Sequence, residues 1–144
     1  TSSDGMLRKQ VTWLDAGSLQ IEIQVTVPKG QSLWVGQLWH ASMLTGSSPD
    51  RYLFCGDGKR EDRLSAGATL DGTYHEVGLG NQWDKVRFGL RSPQAFLTHV
   101  FPWYTVSLSE DGLEKTYQGS VFGLWFLVSG TATVRYHVFT DCAV

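Results

Sequence analysis

From Leu19 to Val27 the apolar residues Leu19, Ile21, Ile23, Val25 and Val27 alternate with Gln20, Glu22, Gln24 and Thr26. A period of two sends successive side chains to opposite faces, so this stretch predicts a strand with one buried and one wet face. Such one-sided burial belongs to an antiparallel sheet, because a parallel strand covered on both faces reads as a continuous apolar run. Pro28-Lys29-Gly30 ends the strand, and Val11 to Leu14 before it reads as a short strand joined through Ala16-Gly17. Ser32 to His40 carries Leu33, Trp34, Val35 and Trp39 around Gly36, which marks a bulge or a close backbone approach. Further strands are expected at Arg51 to Cys55, at Val86 to Leu90, at Phe96 to Phe101, and from Trp103 to Leu108 before the turn Glu110-Asp111-Gly112. The end of the chain reads as a hairpin: Val121 to Val128, a tight Ser129-Gly130 turn, then Ala132, Val134, Tyr136 and Val138 alternating with polar partners. No long window repeats apolar residues at three and four, so helix is limited to about one turn near Glu61 to Ala66.

Roughly eight short strands at intervals near ten residues predict an all-β fold, an antiparallel β-sandwich with jelly-roll-like order. A length of 144 residues suits one core. The small polar start, Thr1-Ser2-Ser3-Asp4-Gly5, has neither the charge nor the apolar core of a signal peptide. Residues 1–8 therefore read as a linker from an upstream domain and residues 9–144 as the sandwich. No segment approaches the roughly 20 apolar residues of a membrane helix, so no membrane insertion is expected.

Charge removes one class of partner. Twelve Lys and Arg against fourteen Asp and Glu give a net charge of −2, with no basic block, whereas phosphate backbones need clustered positive charge. No nucleic-acid partner is expected. Cys55 and Cys142 belong to no Cys-x-x-Cys pair and read as free thiols, and His40, His75, His99 and His137 lack metal-ligand spacing, so neither cofactor nor metal is expected. Nucleophilic catalysis lacks its Gly-x-Ser-x-Gly mark, and Gly78-Leu79-Gly80 leads into Asn81-Gln82-Trp83 where a phosphate loop would open a helix.

Two polar groupings remain. Asp57, Glu61 and Asp62 share a loop in which Lys59, Arg60 and Arg63 oppose a divalent ion, so the loop is solvated or touches a partner. Glu76 and Asp84, beside Trp83, are the best available pair for glycoside hydrolysis, which needs two carboxyl groups facing each other across a cleft.

The six tryptophans are the more unusual feature. Trp125 lies inside an apolar run and belongs to the core, whereas Trp83 sits in a polar turn and Trp103 follows Pro102, so these two are expected at the surface. An exposed indole stacks on a sugar ring or fills a partner's pocket.

The terminal segment Phe122-Gly123-Leu124-Trp125-Phe126-Leu127-Val128-Ser129-Gly130, running into Thr131-Ala132-Thr133-Val134-Arg135-Tyr136-His137-Val138, resembles the closing strands of small icosahedral RNA-virus coat proteins. With its linker-like start the chain is similar to a protruding domain of the nodavirus or tombusvirus kind. That resemblance implies a non-catalytic capsid domain on the virion surface, assembled in the host cytoplasm. It would associate as a homodimer or homotrimer and attach to a host-cell receptor or glycan. The first alternative is a carbohydrate-binding, lectin-like β-sandwich using Trp83 and Trp103. The second is a glycoside hydrolase-like enzyme using Glu76 and Asp84.

Overall fold

The computed structural model describes residues 7–56, 60–62, 64–110 and 112–142, with residues 60–62 described by their backbone alone. The strands are β1 (Leu7–Asp15), β2 (Ser18–Thr26), β3 (Ser32–Ala41), β4 (Arg51–Cys55), β5 (Arg60–Asp62), β6 (Leu70–Asn81), β7 (Val86–Ser109), β8 (Gly112–Ser129) and β9 (Thr131–Cys142). Among the described residues the helical content is one 3-10 turn, Leu64–Ala66, inside the stretch where a turn of helix is expected. Every strand pairing is antiparallel. The chain forms the antiparallel β-sandwich that its alternation predicts.

Two layers share two strands. The order β1-β2-β9-β7-β6-β4-β5 defines the first sheet, in which β7 contributes Val86 to Arg91 and β6 contributes Glu76 to Asn81. Past the irregularity at Tyr74/Glu76 both strands cross into the second layer, where Leu70 to Tyr74 pair with Phe96 to Val100, and β7 continues to β8 and then β3. Pro93 falls between Arg91 and Phe96, where neither neighbour pairs, a position at which its missing N–H removes no ladder bond. What reads in sequence as three short strands is therefore one bent 24-residue strand, β7.

The closing segments are not a hairpin. β8 pairs with β3 and β7, β9 pairs with β2 and β7, and Gly130, at φ 60°, carries the chain from one sheet to the other. A sheet-to-sheet arch and a hairpin both need a residue tolerant of positive φ between two alternating strands, so the local pattern is the same for either. What separates them is where the apolar faces go. Phe122, Leu124, Phe126 and Val128 of β8 face Val134, Tyr136 and Val138 of β9 across the core, and the Phe126 and Tyr136 rings stack at 6.4 Å. Each such fully buried side chain contributes about 1.5–3 kcal/mol.

Two local differences follow from pairing. Leu7 and Arg8, read as linker, already pair with Val25 and Gln24, and β1 is exposed along its whole length. Glu61 and Asp62, read as loop, form a short edge strand opposite Leu53 and Tyr52. Asp57 lies outside the described residues.

Candidate functional site

The expected surface tryptophans are exposed, Trp83 at 84% and Trp103 at 52%. They do not form one site: Trp83 tips the β6–β7 turn of the first sheet, while Trp103 stands on the far part of β7 beside His40, with ring centroids 6.2 Å apart. The carboxylate pair fails on geometry. Glu76 opens the first-sheet part of β6, and Asp84 lies past its end at Asn81. Five residues of strand at about 3.3 Å each separate Glu76 from that turn by about 17 Å, far beyond the roughly 5–9.5 Å that the two carboxyls of a glycosidase span. Both are also engaged structurally. Asp84 accepts from the Asn81 amide at 2.5 Å while its own N–H donates back to Asn81 Oδ1 at 3.0 Å, which closes the turn.

Register builds a different grouping on the outer face of the first sheet. Gln20 on β2 lies opposite His137 on β9, His137 opposite Arg91 on β7, and Arg91 opposite Glu76 on β6. These four form one row across four strands, with Arg135 and Glu22 paired in the next row. The row and Arg135 line a cleft of about 630 Å³ whose margin at the strand bend is formed by His75, Ser92 and Pro93. A volume in that range is typical of small-molecule sites. Arg91 Nε donates to Glu76 Oε2, Arg135 Nε donates to Glu22 Oε2 at 2.7 Å, and the Arg91 guanidinium lies 4.7 Å from the Phe139 ring centroid. Phe139 lies flat because its partner in the ladder is Gly89, where a Cβ would come within 2.4 Å of the ring. The Arg135 hydrogen bond, followed by that from Gln24, holds the Glu22 carboxyl below its ordinary range. Among the described residues no group of three or more His, Cys, Asp or Glu is placed to hold a metal ion.

The outer face of the second sheet has the opposite character. Trp34, Leu38, Leu97 and Leu127 are exposed there, and Trp125 lies across Gly36 so closely that a Cβ on Gly36 would meet the indole at 2.1 Å. The expectation that Trp125 belongs to the core is corrected: it is half-buried on the outside, because the inward positions of β8 are those of Leu124 and Phe126. The sequence contains the residues of both faces, but not the pairing that gathers them.

Comparison with known proteins corrects the functional reading. The fold resembles that of a 4-alpha-glucanotransferase from Thermococcus litoralis, with a TM-score of 0.63 and 14% identity over 95% of this chain. The chain spans only 18% of that neighbour. The Slr1438 protein from Synechocystis sp. PCC 6803 aligns over 96% of this chain and 54% of its own at 11% identity, with a TM-score of 0.46. Nothing among curated proteins matches the sequence. The family described as "Alpha-amylase/4-alpha-glucanotransferase, C-terminal" matches residues 2–139, nearly the whole chain. This overturns the viral protruding domain, its virion location and its capsid role; the terminal segment that carried that resemblance is an arch between sheets, a feature of β-sandwiches in general. The chain belongs to the family of alpha-amylase/4-alpha-glucanotransferase C-terminal domains.

Proposed function

We propose that this chain is the accessory β domain of an α-glucan hydrolase or transferase, without a reaction centre of its own, and that it docks on the catalytic unit of the same polypeptide. The observation that carries the reading is the apolar outer face of the second sheet. One face of an antiparallel sheet is ordinarily solvated and polar, yet β3, β8 and β7 turn Trp34, Leu38, Trp125, Leu127 and Leu97 outward together. A contiguous apolar patch of this kind marks an interaction surface. The occupant follows from the family, whose members are C-terminal parts of longer enzymes, and from a neighbour in which the matching region is a small share of the chain. The separation of Glu76 from Asp84 removes that carboxylate pair as a reaction centre.

The test has two parts. The 144-residue chain incubated with maltoheptaose is expected to yield no hydrolysis or transfer products. In the longer enzyme, Leu127→Lys combined with Trp34→Ser is expected to lower the melting temperature and release the domain to limited proteolysis, with the isolated chain's own melting temperature little changed. Turnover by the chain alone would sink the non-catalytic reading, and an undisturbed longer enzyme would sink the docking.

A further inference from the structure

We infer that the cleft on the outer face of the first sheet is a binding site for a neutral polyhydroxyl ligand, and specifically for an α-linked gluco-oligosaccharide. The pairing of the site's charges argues for the neutral ligand; the choice of an α-glucan rests on the reading proposed above.

The charges cancel in pairs. Arg91 is bonded to Glu76 and Arg135 to Glu22, so an anion attracted by either guanidinium also meets a carboxylate, and a cation meets the reverse. A sugar hydroxyl donates and accepts at once, and the cleft presents both roles side by side. Each Arg spends its Nε on its Glu, which leaves the terminal N–H groups of two half-exposed side chains as donors over the cleft. The imidazoles supply acceptors. His75 Nδ1 lies 3.1 Å from the Ser92 carbonyl oxygen, which can only accept, so Nδ1 carries the proton and Nε2 of the neutral ring accepts. His137 Nε2 faces Gln20 Oε1 at 3.3 Å and leaves its Nδ1 in the same role.

The site is also held in advance. Arg91 is fixed by Glu76 and by the flat Phe139 ring, His75 by the backbone and His137 by Gln20. A ligand therefore orders few side chains on binding, which is where weak polar sites lose affinity. From Gln20 to Glu76 the row crosses three strand spacings, about 14 Å in all, which is longer than one pyranose ring. Pro93 at one margin offers apolar surface for the C–H face of a sugar ring.

The experiment is an amide chemical-shift titration of the 144-residue chain with maltoheptaose, cellohexaose and inorganic phosphate. Maltoheptaose is expected to shift resonances of Gln20, His75, Arg91 and His137 saturably. Arg91→Gln and His137→Ala are each expected to weaken it at least tenfold, and Trp83→Ala to leave it unchanged. The same spectra report whether each variant is folded. Unshifted spectra with maltoheptaose at millimolar concentration, or shifts by phosphate alone, would overturn the inference while leaving the accessory-domain reading intact. Binding lost in Trp83→Ala but kept in Arg91→Gln would also overturn it, by placing the glucan at the turn. Equal response to cellohexaose would remove the α-linkage and keep the polyol site. Turnover of maltoheptaose by the chain would instead strike the reading on which the inference rests.

Discussion

Tyr136→Phe removes one oxygen atom from the seam between the sheets, and its effect can be worked out from the structure. Tyr136 sits on β9 in the first sheet, 1% exposed, and its hydroxyl reaches the edge strand of the second. It donates to Gln37 Oε1 and accepts from Trp39 Nε1 at 3.1 Å, so one hydroxyl satisfies two groups on β3. Without it both lose their partner, and a buried polar group left unpaired costs about 1–3 kcal/mol. Gln37 and Trp39 are half-buried and can recover part of this from water, so we expect a loss of about 2 kcal/mol in total. With a urea slope of about 2 kcal/mol per molar, the unfolding midpoint falls by about 1 M. In a Gln37→Leu background the same substitution should cost less, because one of the two groups is already gone. The alkaline limb gives an independent readout. Burial pushes the Tyr136 phenol from its ordinary value near 10 up to about 12, so above pH 10 the unfolded chain releases a proton that the native chain keeps. Its contribution is complete below pH 10 and declines as the pH rises toward 12. Tyr136→Phe should make that decline shallower, with Tyr117, whose phenol is also raised by burial, accounting for part of what remains. A midpoint shift below about 0.2 M together with an unchanged alkaline slope would refute the reasoning.

The remaining predictions concern packing and charge. Gly36→Ala should destabilise by about 1–3 kcal/mol, since its Cβ would meet both the Trp125 ring and, at 2.5 Å, the Leu124 carbonyl oxygen. Trp125 should then lift off the sheet and its fluorescence shift to the red, whereas an unaltered spectrum would mean that β3 moves instead. Arg135→Gln should raise the Glu22 pKa, seen by carboxyl-carbon NMR; because the Glu22 pKa is depressed in the fold, the linked stability is present above its ordinary value near 4.5 and is lost as the pH falls. Arg87→Gln breaks the two-point contact with Asp141, at 2.9 and 2.7 Å, that ties β7 to β9. We expect a loss of about 0.5–1 kcal/mol that shrinks in high salt, and a loss independent of salt would assign the effect to lost packing over Phe54, whose ring centroid lies 5.3 Å from Arg87 Cζ.

The fold class was legible along the chain, and so were β2, β3 and β4, whereas β6 was not among the expected strands and β7 reads as three. The alternation of Leu19 to Val27 describes β2 closely, and the turn residues Ala16-Gly17, Pro28-Lys29-Gly30 and Ser129-Gly130 all mark real breaks. Each depends on side-chain periodicity or on backbone dihedrals within a few residues, so each is encoded locally. The exposure of Trp83 was legible for the same reason. Which strands hydrogen-bond to one another is set at long range, beyond the reach of any local pattern. Val121 to Val138 satisfies a hairpin and an arch equally well, and the choice depends on whether β8 and β9 meet edge to edge or face to face, which long-range burial settles. The cleft on the first sheet shows the same division. Gln20, Glu76, Arg91 and His137 are scattered through the chain with no spacing to link them, and they meet only because register across β2, β9, β7 and β6 sets them in one row. A period of two tells which face a residue takes, but it carries no information about which strand lies beside it.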